Sequence, residues 1–140
     1  MDEVRIDWHG PYQYDRVFTH DIVKKRGIYV ISIRQGSRPE KIVRIGQTYG
    51  KFSDRLSSYR MVINALPGVK YIHIGVFDTP FSKLSAQRLK NVENLLLYTY
   101  KPKLNKTGTT RYSGRPLLIE NVGRRGPIDP YIDSTDSTSV

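Results

Sequence analysis

"RGIYVISIRQGSRPEKIVRIGQT", residues 26–48, decides how this chain folds. Residues 27–34, "GIYVISIR", are β-branched and aromatic, which predicts a strand. Residues 41–46, "KIVRIG", predict a second. Gly36-Ser37 between them suits a two-residue type II′ turn, which needs glycine first. That turn pairs residues whose numbers sum to 73, so Tyr29 is expected opposite Arg44. Pro39 implies a ragged or edge ladder. A phenol and a guanidinium inside so apolar a hairpin are the first polar residues that need a reason. Charged side chains are seldom buried without a partner, so Arg44 predicts either a sheet edge or an anion site.

Beyond the hairpin the signals alternate. "GKFSDRLSSYRMVINALPG" carries Phe52, Leu56, Ile63 and Leu66 near helical spacing, with Ser53 as a candidate cap and Pro67-Gly68 as the stop. Residues 69–78, "VKYIHIGVFD", predict a third strand. Residues 82–101, "SKLSAQRLKNVENLLLYTYK", predict a second helix, ended by Pro102. The expected fold class is α+β: a small, three-stranded, mainly antiparallel sheet flanked by helices, in the order β-β-α-β-α. Residues 1–26 are expected to be an irregular aromatic-rich extension packed on a core of 27–105. Residues 106–128 form a basic segment in which Leu117-Leu118-Ile119 can pack. Residues 129–140 are expected to be a disordered acidic tail.

Composition narrows the function classes. The 140 residues fit one domain. Cysteine is absent, which excludes disulfides and thiolate metal sites and fits a cytoplasmic location. No apolar run is long enough to span a membrane. The formal charge is +10, from 23 Lys+Arg against 13 Asp+Glu. Asp129, Asp133 and Asp136 lie in the tail, so the preceding residues are more basic still. A basic domain with pI near 9.9 points to a polyanion, and nucleic acid is the commonest one.

Two more polar residues interrupt apolar faces. Leu89, Glu93 and Leu97 succeed one another at i+4, so Glu93 lies within an apolar stripe. A carboxylate there must pair, bind a cation, or turn out at the stripe's edge beside a base such as Lys90. Arg55 and Tyr59 are also i,i+4 neighbours and share a helix face. Snorkelling on the core surface explains such an arginine equally well, and a lone strand histidine such as His73 reads as structural. Together, a phenol, two guanidiniums, a carboxylate and the Asn105 of "KPKLN" are the residue types that phosphodiester cleavage needs. Guanidinium matches phosphate oxygens in a fork, and one carboxylate can hold a Mg²⁺ that keeps most of its waters.

In this arrangement the chain resembles the GIY-YIG nucleases. "GIY" is literal at Gly27-Ile28-Tyr29, and the "YIG" element stands as Arg44-Ile45-Gly46. "GKFSDRLSSYR" is similar to the family's first helix, and its "RLSSY" to the version in the nuclease subunit of bacterial excision repair. "VENLLLYTYKPKLN" is similar to the metal-carboxylate helix with its closing Pro-x-x-Asn. The resemblance covers about residues 27–105. It implies that Tyr29 orients or activates water, that Arg55 binds the scissile phosphate beside Tyr59, and that Glu93 holds Mg²⁺ or Mn²⁺. Asn105 would support the site. The implied activity is metal-dependent endonuclease cleavage of DNA, of a nicking, restriction, repair or phage type. RNA stays open as a substrate, and so does a dimer.

Arg44 departs from that pattern by replacing the second tyrosine. Either it compensates, by lowering the Tyr29 pKa or touching phosphate, or the chain is an inactive DNA- or RNA-binding module. Arg111, Arg115, Arg124 and Arg125 are further candidates for phosphate contacts, with Arg44 among them. A basic protein-interaction module is the third class.

Overall fold

The structure, a computed structural model, describes residues 2–78, 85–105 and 111–135. Strand β1 (Asp2–Gln13) leads into a short helix α1 (Tyr14–Val17) and a 3-10 turn, Asp21–Lys24. The hairpin follows as β2 (Gly27–Arg34) and β3 (Lys41–Thr48). Two short helices, α2 (Phe52–Ser57) and α3 (Arg60–Asn64), precede β4 (Val69–Phe77). The main helix α4 (Ala86–Tyr100), β5 (Leu117–Gly123) and β6 (Tyr131–Asp133) complete the fold.

The sheet is not the small three-stranded one that the sequence predicts. It has six strands in the order β3-β2-β4-β1-β5-β6 and curls strongly into a half-barrel. It is mixed: β1 runs parallel to β5 and antiparallel to β4. The three additional strands come from the segments read as leader, basic segment and tail. β1 sits near the centre of the sheet: Asp2 to Trp8 pair with β5, and Ile6 to Gln13 pair with β4 across an irregularity between His9 and Tyr12. The start of the predicted second helix (82–84), residues 106–110 of the basic segment and residues 136–140 of the tail lie outside the described residues.

Both faces of the sheet are covered, which explains why β2 is buried along most of its length. One face carries Ile28, Val30 and Ile45 against Leu89, Val92 and Leu96 of α4. The other carries Tyr29, Ile31, Ile72 and Ile74 against Tyr14, Val17, Val23, Phe52, Leu56 and Ile63. Strand parity decides which residue joins which core.

The hairpin register differs from the expected one by two. The turn is at Gly36-Ser37, where Gly36 takes φ +58° and Arg38 N–H donates to Gln35 O at 3.1 Å. However, the ladder resumes only at Lys41 opposite Ile33, and a bulge between Ile31 and Ser32 inserts a further residue. Tyr29 therefore pairs with Gly46, and Arg44 with Ile31. A two-residue slip preserves the face, so Arg44 remains diagonal to Tyr29 on the same side.

The single first helix is in fact two. Ser57 and Ser58 hydroxyls donate back to Asp54 O at 3.0 Å and Arg55 O at 2.6 Å. The Tyr14 hydroxyl takes Leu56 O at 2.8 Å. Such side-chain bonds compete with the helix ladder, and the chain breaks at Ser58-Tyr59. Ser53 is not a cap, since Lys51 holds that position. Ser85 does cap α4, accepting from Arg88 N–H at 3.0 Å, and Lys101 closes it in the left-handed conformation.

Candidate phosphodiester site

Gly46 is what lets Tyr29 lie flat across β3. A Cβ at position 46 would stand 2.2 Å from Tyr29 Oη and 2.3 Å from its Cζ. The ring is completely buried, and its Oη has no hydrogen-bond partner. The guanidiniums of Arg44 and Arg55 lie near it. Burial raises the Tyr29 pKa, the neighbouring Tyr59 adds to the rise, and Arg44 and Arg55 pull against it without prevailing. The expected lowering of this pKa by Arg44 is therefore not found: desolvation of the phenolate outweighs the attraction of the cations.

Arg44 is held from three sides. Its Nη2 donates to Tyr59 Oη at 2.8 Å, its Nη1 to Leu104 O at 3.2 Å, and its guanidinium lies 4.3 Å from the Tyr59 ring centroid. The bulge that shifts the register also turns Arg44 toward this side, next to the buried Val43. Arg55 reaches the same ring from α2, 5.4 Å from its centroid. Burial alone would lower the Arg55 pKa, but the negative forms of Tyr29 and Tyr59, and more weakly Glu93, raise it on balance. Tyr59 is thus the hub between two guanidiniums. Its position at the break between α2 and α3 aims it at the hairpin.

Asn105 supports this group through the backbone. Its amide accepts from Ile45 N–H at 2.9 Å and donates to Ile45 O at 2.9 Å, while Leu104 N–H donates to Val43 O at 2.9 Å. The side chain imitates a neighbouring strand on the outer edge of β3 and fixes the Leu104 carbonyl that holds Arg44.

Glu93 comes from α4, which packs on the opposite face. Its side chain is 12 % exposed and pairs with Lys90, Nζ to Oε1 at 3.0 Å. Its charge is felt by Arg55, but it makes no hydrogen bond to Tyr29 or Arg55. Among the described residues no three His, Cys, Asp or Glu side chains cluster as metal ligands. The donor set does not suit Zn²⁺ or Ca²⁺, which need several protein ligands. It suits a Mg²⁺ or Mn²⁺ held by Glu93 with water elsewhere, provided that Lys90 shares the carboxylate.

Arg124 and Arg125 follow β5, three strands from β2. Arg124 donates to Gly10 O at 3.5 Å and Arg125 to Ile128 O at 3.0 Å. Arg111 and Arg115 are exposed. None of the four bonds to the Tyr29 group.

One buried polar cluster carried no local signal. Glu40, just before β3, accepts from the Ser32 hydroxyl through Oε1 and meets His73 Nε2 with the same oxygen at 2.6 Å. His73 is fully buried, its Nδ1 is unpartnered, and Gly126 lies against its ring. This is not a hydrolytic triad, because the serine reaches the carboxylate and not the imidazole.

No family model, curated protein or solved structure matches this chain. Among the described residues no helix is long and apolar enough to cross a membrane.

Proposed function

We propose that this protein is a divalent-metal-dependent nuclease that hydrolyses phosphodiester bonds in DNA, by a GIY-YIG-like arrangement. The observation that carries the proposal is the Arg44–Tyr59–Arg55 cluster beside the unpartnered Tyr29 hydroxyl. Two guanidiniums meet on one aromatic hub: Arg55 presents N–H donors to a phosphate, and the charge of both favours the pentacoordinate transition state. Arg55 is the more exposed of the two and takes the scissile phosphate, while Arg44, tied to Tyr59 and Leu104, positions that hub.

Tyr29 stays neutral at physiological pH, given its raised pKa. Its role is to orient, donating or accepting one hydrogen bond, and not to act as a phenolate base. A Mg²⁺ or Mn²⁺ on Glu93 would supply Lewis-acid stabilisation of the leaving oxygen. No described general base touches the cluster, so these side chains orient the phosphate and the attacking water without taking its proton.

The enclosure of Tyr29 and the Lys90–Glu93 pair favour a second reading, an inactive nucleic-acid-binding module. Nicking assays with supercoiled DNA, with Mg²⁺, Mn²⁺ or EDTA, decide between them. The nuclease predicts metal-dependent nicking that Glu93→Ala abolishes. Salt-sensitive binding without turnover on supercoiled, linear, branched or single-stranded DNA leaves only the module.

A further inference from the structure

A second basic feature lies one helical turn from Arg55. A cleft of about 610 Å³ opens between the end of the 3-10 turn, the β3–α2 connection and β4, lined by Lys24, Lys25, Arg26, Lys51, Tyr49 and Val76. Its size is within the roughly 300–1,000 Å³ of small-ligand sites. Among the described residues no acidic side chain lines it, and Lys24 pairs with the exposed Asp21 at 3.4 Å. Val76 packs on the Tyr29 side of the sheet, so the cleft and the Arg44–Arg55 cluster share a face. Lys51 and Arg55 are joined by the Arg55 N–H to Lys51 O bond and lie about 6 Å apart along the helix axis.

The aromatic residue gives this cleft its chemistry. Tyr49 remains 43 % exposed. Arg26 places its guanidinium 4.9 Å from the ring centroid and donates to the Tyr49 carbonyl at 3.3 Å, which fixes the ring's place. The backbone closes the same corner through Phe52 N–H to Lys25 O at 2.9 Å. A positioned aromatic beside several ammonium groups is the combination that holds a single-stranded nucleotide: the base stacks and the cations follow the phosphates.

We infer that this cleft seats an unpaired nucleotide of the strand whose phosphodiester lies at Arg55, with its base on Tyr49 and its phosphates on Lys25 and Lys51. The inference rests on the nucleic-acid reading of the Tyr29–Arg55 face, and it narrows the substrate to DNA that is single-stranded, or locally unpaired, beside the bond. A duplex does not place an unstacked base there, so duplex affinity comes from the cations alone.

The test is binding in EDTA, by fluorescence anisotropy, of a labelled oligothymidylate and a hairpin duplex of the same length. Tyr49→Ala should weaken single-strand binding by about 5- to 150-fold, the range that loss of one stacked base gives. It should change duplex binding by less than about twofold, and Tyr49→Trp should restore the single-strand affinity. Lys25→Gln with Lys51→Gln should flatten the single-strand salt slope by about 1.4, for two phosphates. Single-strand affinity unchanged in Tyr49→Ala overturns the inference. So does thymidine monophosphate competing as well as the strand, which would mark a free-nucleotide site. Metal-dependent cleavage is scored separately on the wild type, and its absence bears on the nuclease reading alone.

Discussion

Gly46→Ala isolates the contact on which the hairpin's geometry depends. The new methyl carbon would fall 2.2–2.7 Å from the hydroxyl oxygen and two ring carbons of Tyr29, where ordinary contact begins at 3.4 Å. The ring is fully buried among Ile31, Ile74, Phe52 and Leu56, so it cannot swing aside without displacing a core residue. Overpacking of this kind costs about 1–3 kcal/mol. Gly46 does not use a positive φ, so the backbone accepts alanine and returns about 0.5–1 kcal/mol of chain entropy. The net expectation is a loss of about 1–2 kcal/mol, read as a fall of about 0.5–1 M in the urea midpoint. The partner experiment is Tyr29→Leu, which removes the clashing atoms at the price of a cavity. In that background Gly46→Ala should be neutral or slightly stabilising, giving a coupling of about 1–3 kcal/mol between the two sites. An equal effect of Gly46→Ala in both backgrounds would show that the Tyr29–Gly46 pairing is not the constraint, and the placement of Tyr29 in the proposed site would fall with it.

Other expectations follow from the same contacts. Asn105→Ala strands the N–H and C=O of buried Ile45 and should cost about 1–3 kcal/mol by urea denaturation; wild-type stability would refute the strand-mimic role. Tyr59→Phe keeps the ring under Arg44 and Arg55 but removes the 2.8 Å bond, so it should cost about 1–2 kcal/mol and reduce any nicking rate, where full activity would remove Tyr59 from the site. Glu40→Ala leaves both nitrogens of buried His73 without partners and should destabilise by about 1–3 kcal/mol, checked by thermal melting. Tyr14, Tyr29, Tyr100 and Tyr112 all have pKa values raised chiefly by burial. Each therefore contributes stability that is complete below the unfolded value near 10 and lost as pH rises through the folded value. Melting temperature should fall above about pH 10, and a melting temperature unchanged there would contradict the burial of these phenols.

Sequence patterning reveals β2, β3, β4 and α4 because their signals are local. The run Ile28 to Ile33, the alternation about Ile72 and Ile74, and the spacing of Leu89, Val92 and Leu96 each specify an element without help from afar. β1 is hidden because Asp2, Glu3, Arg5, Asp7 and His9 dilute its apolar residues, and its strand character comes from partners at β4 and β5. The Arg55–Tyr59 pair is legible as an i,i+4 relation even though the helix breaks there. The facing of Tyr29 and Arg44 is legible only to within an even slip, since a bulge leaves no mark in the residues that flank it. Glu40 and His73 are 33 residues apart, and nothing in either neighbourhood announces the other. The cations of the Tyr49 cleft likewise come from two segments brought together by the fold.

The central place of β1 has a consequence for synthesis. β1 is made before both strands that flank it, and β5 begins about a hundred residues after β1 ends. At about 5–20 residues per second the wait is on the order of 5–20 s. β4 follows about midway and can cover one edge, but the edge that takes β5 lacks its partner throughout, the condition in which nascent chains join one another. The charges at Asp2, Glu3, Arg5 and Asp7, which obscure β1 as a strand, also keep it hydrated and apart from its neighbours until the ribosome delivers β5.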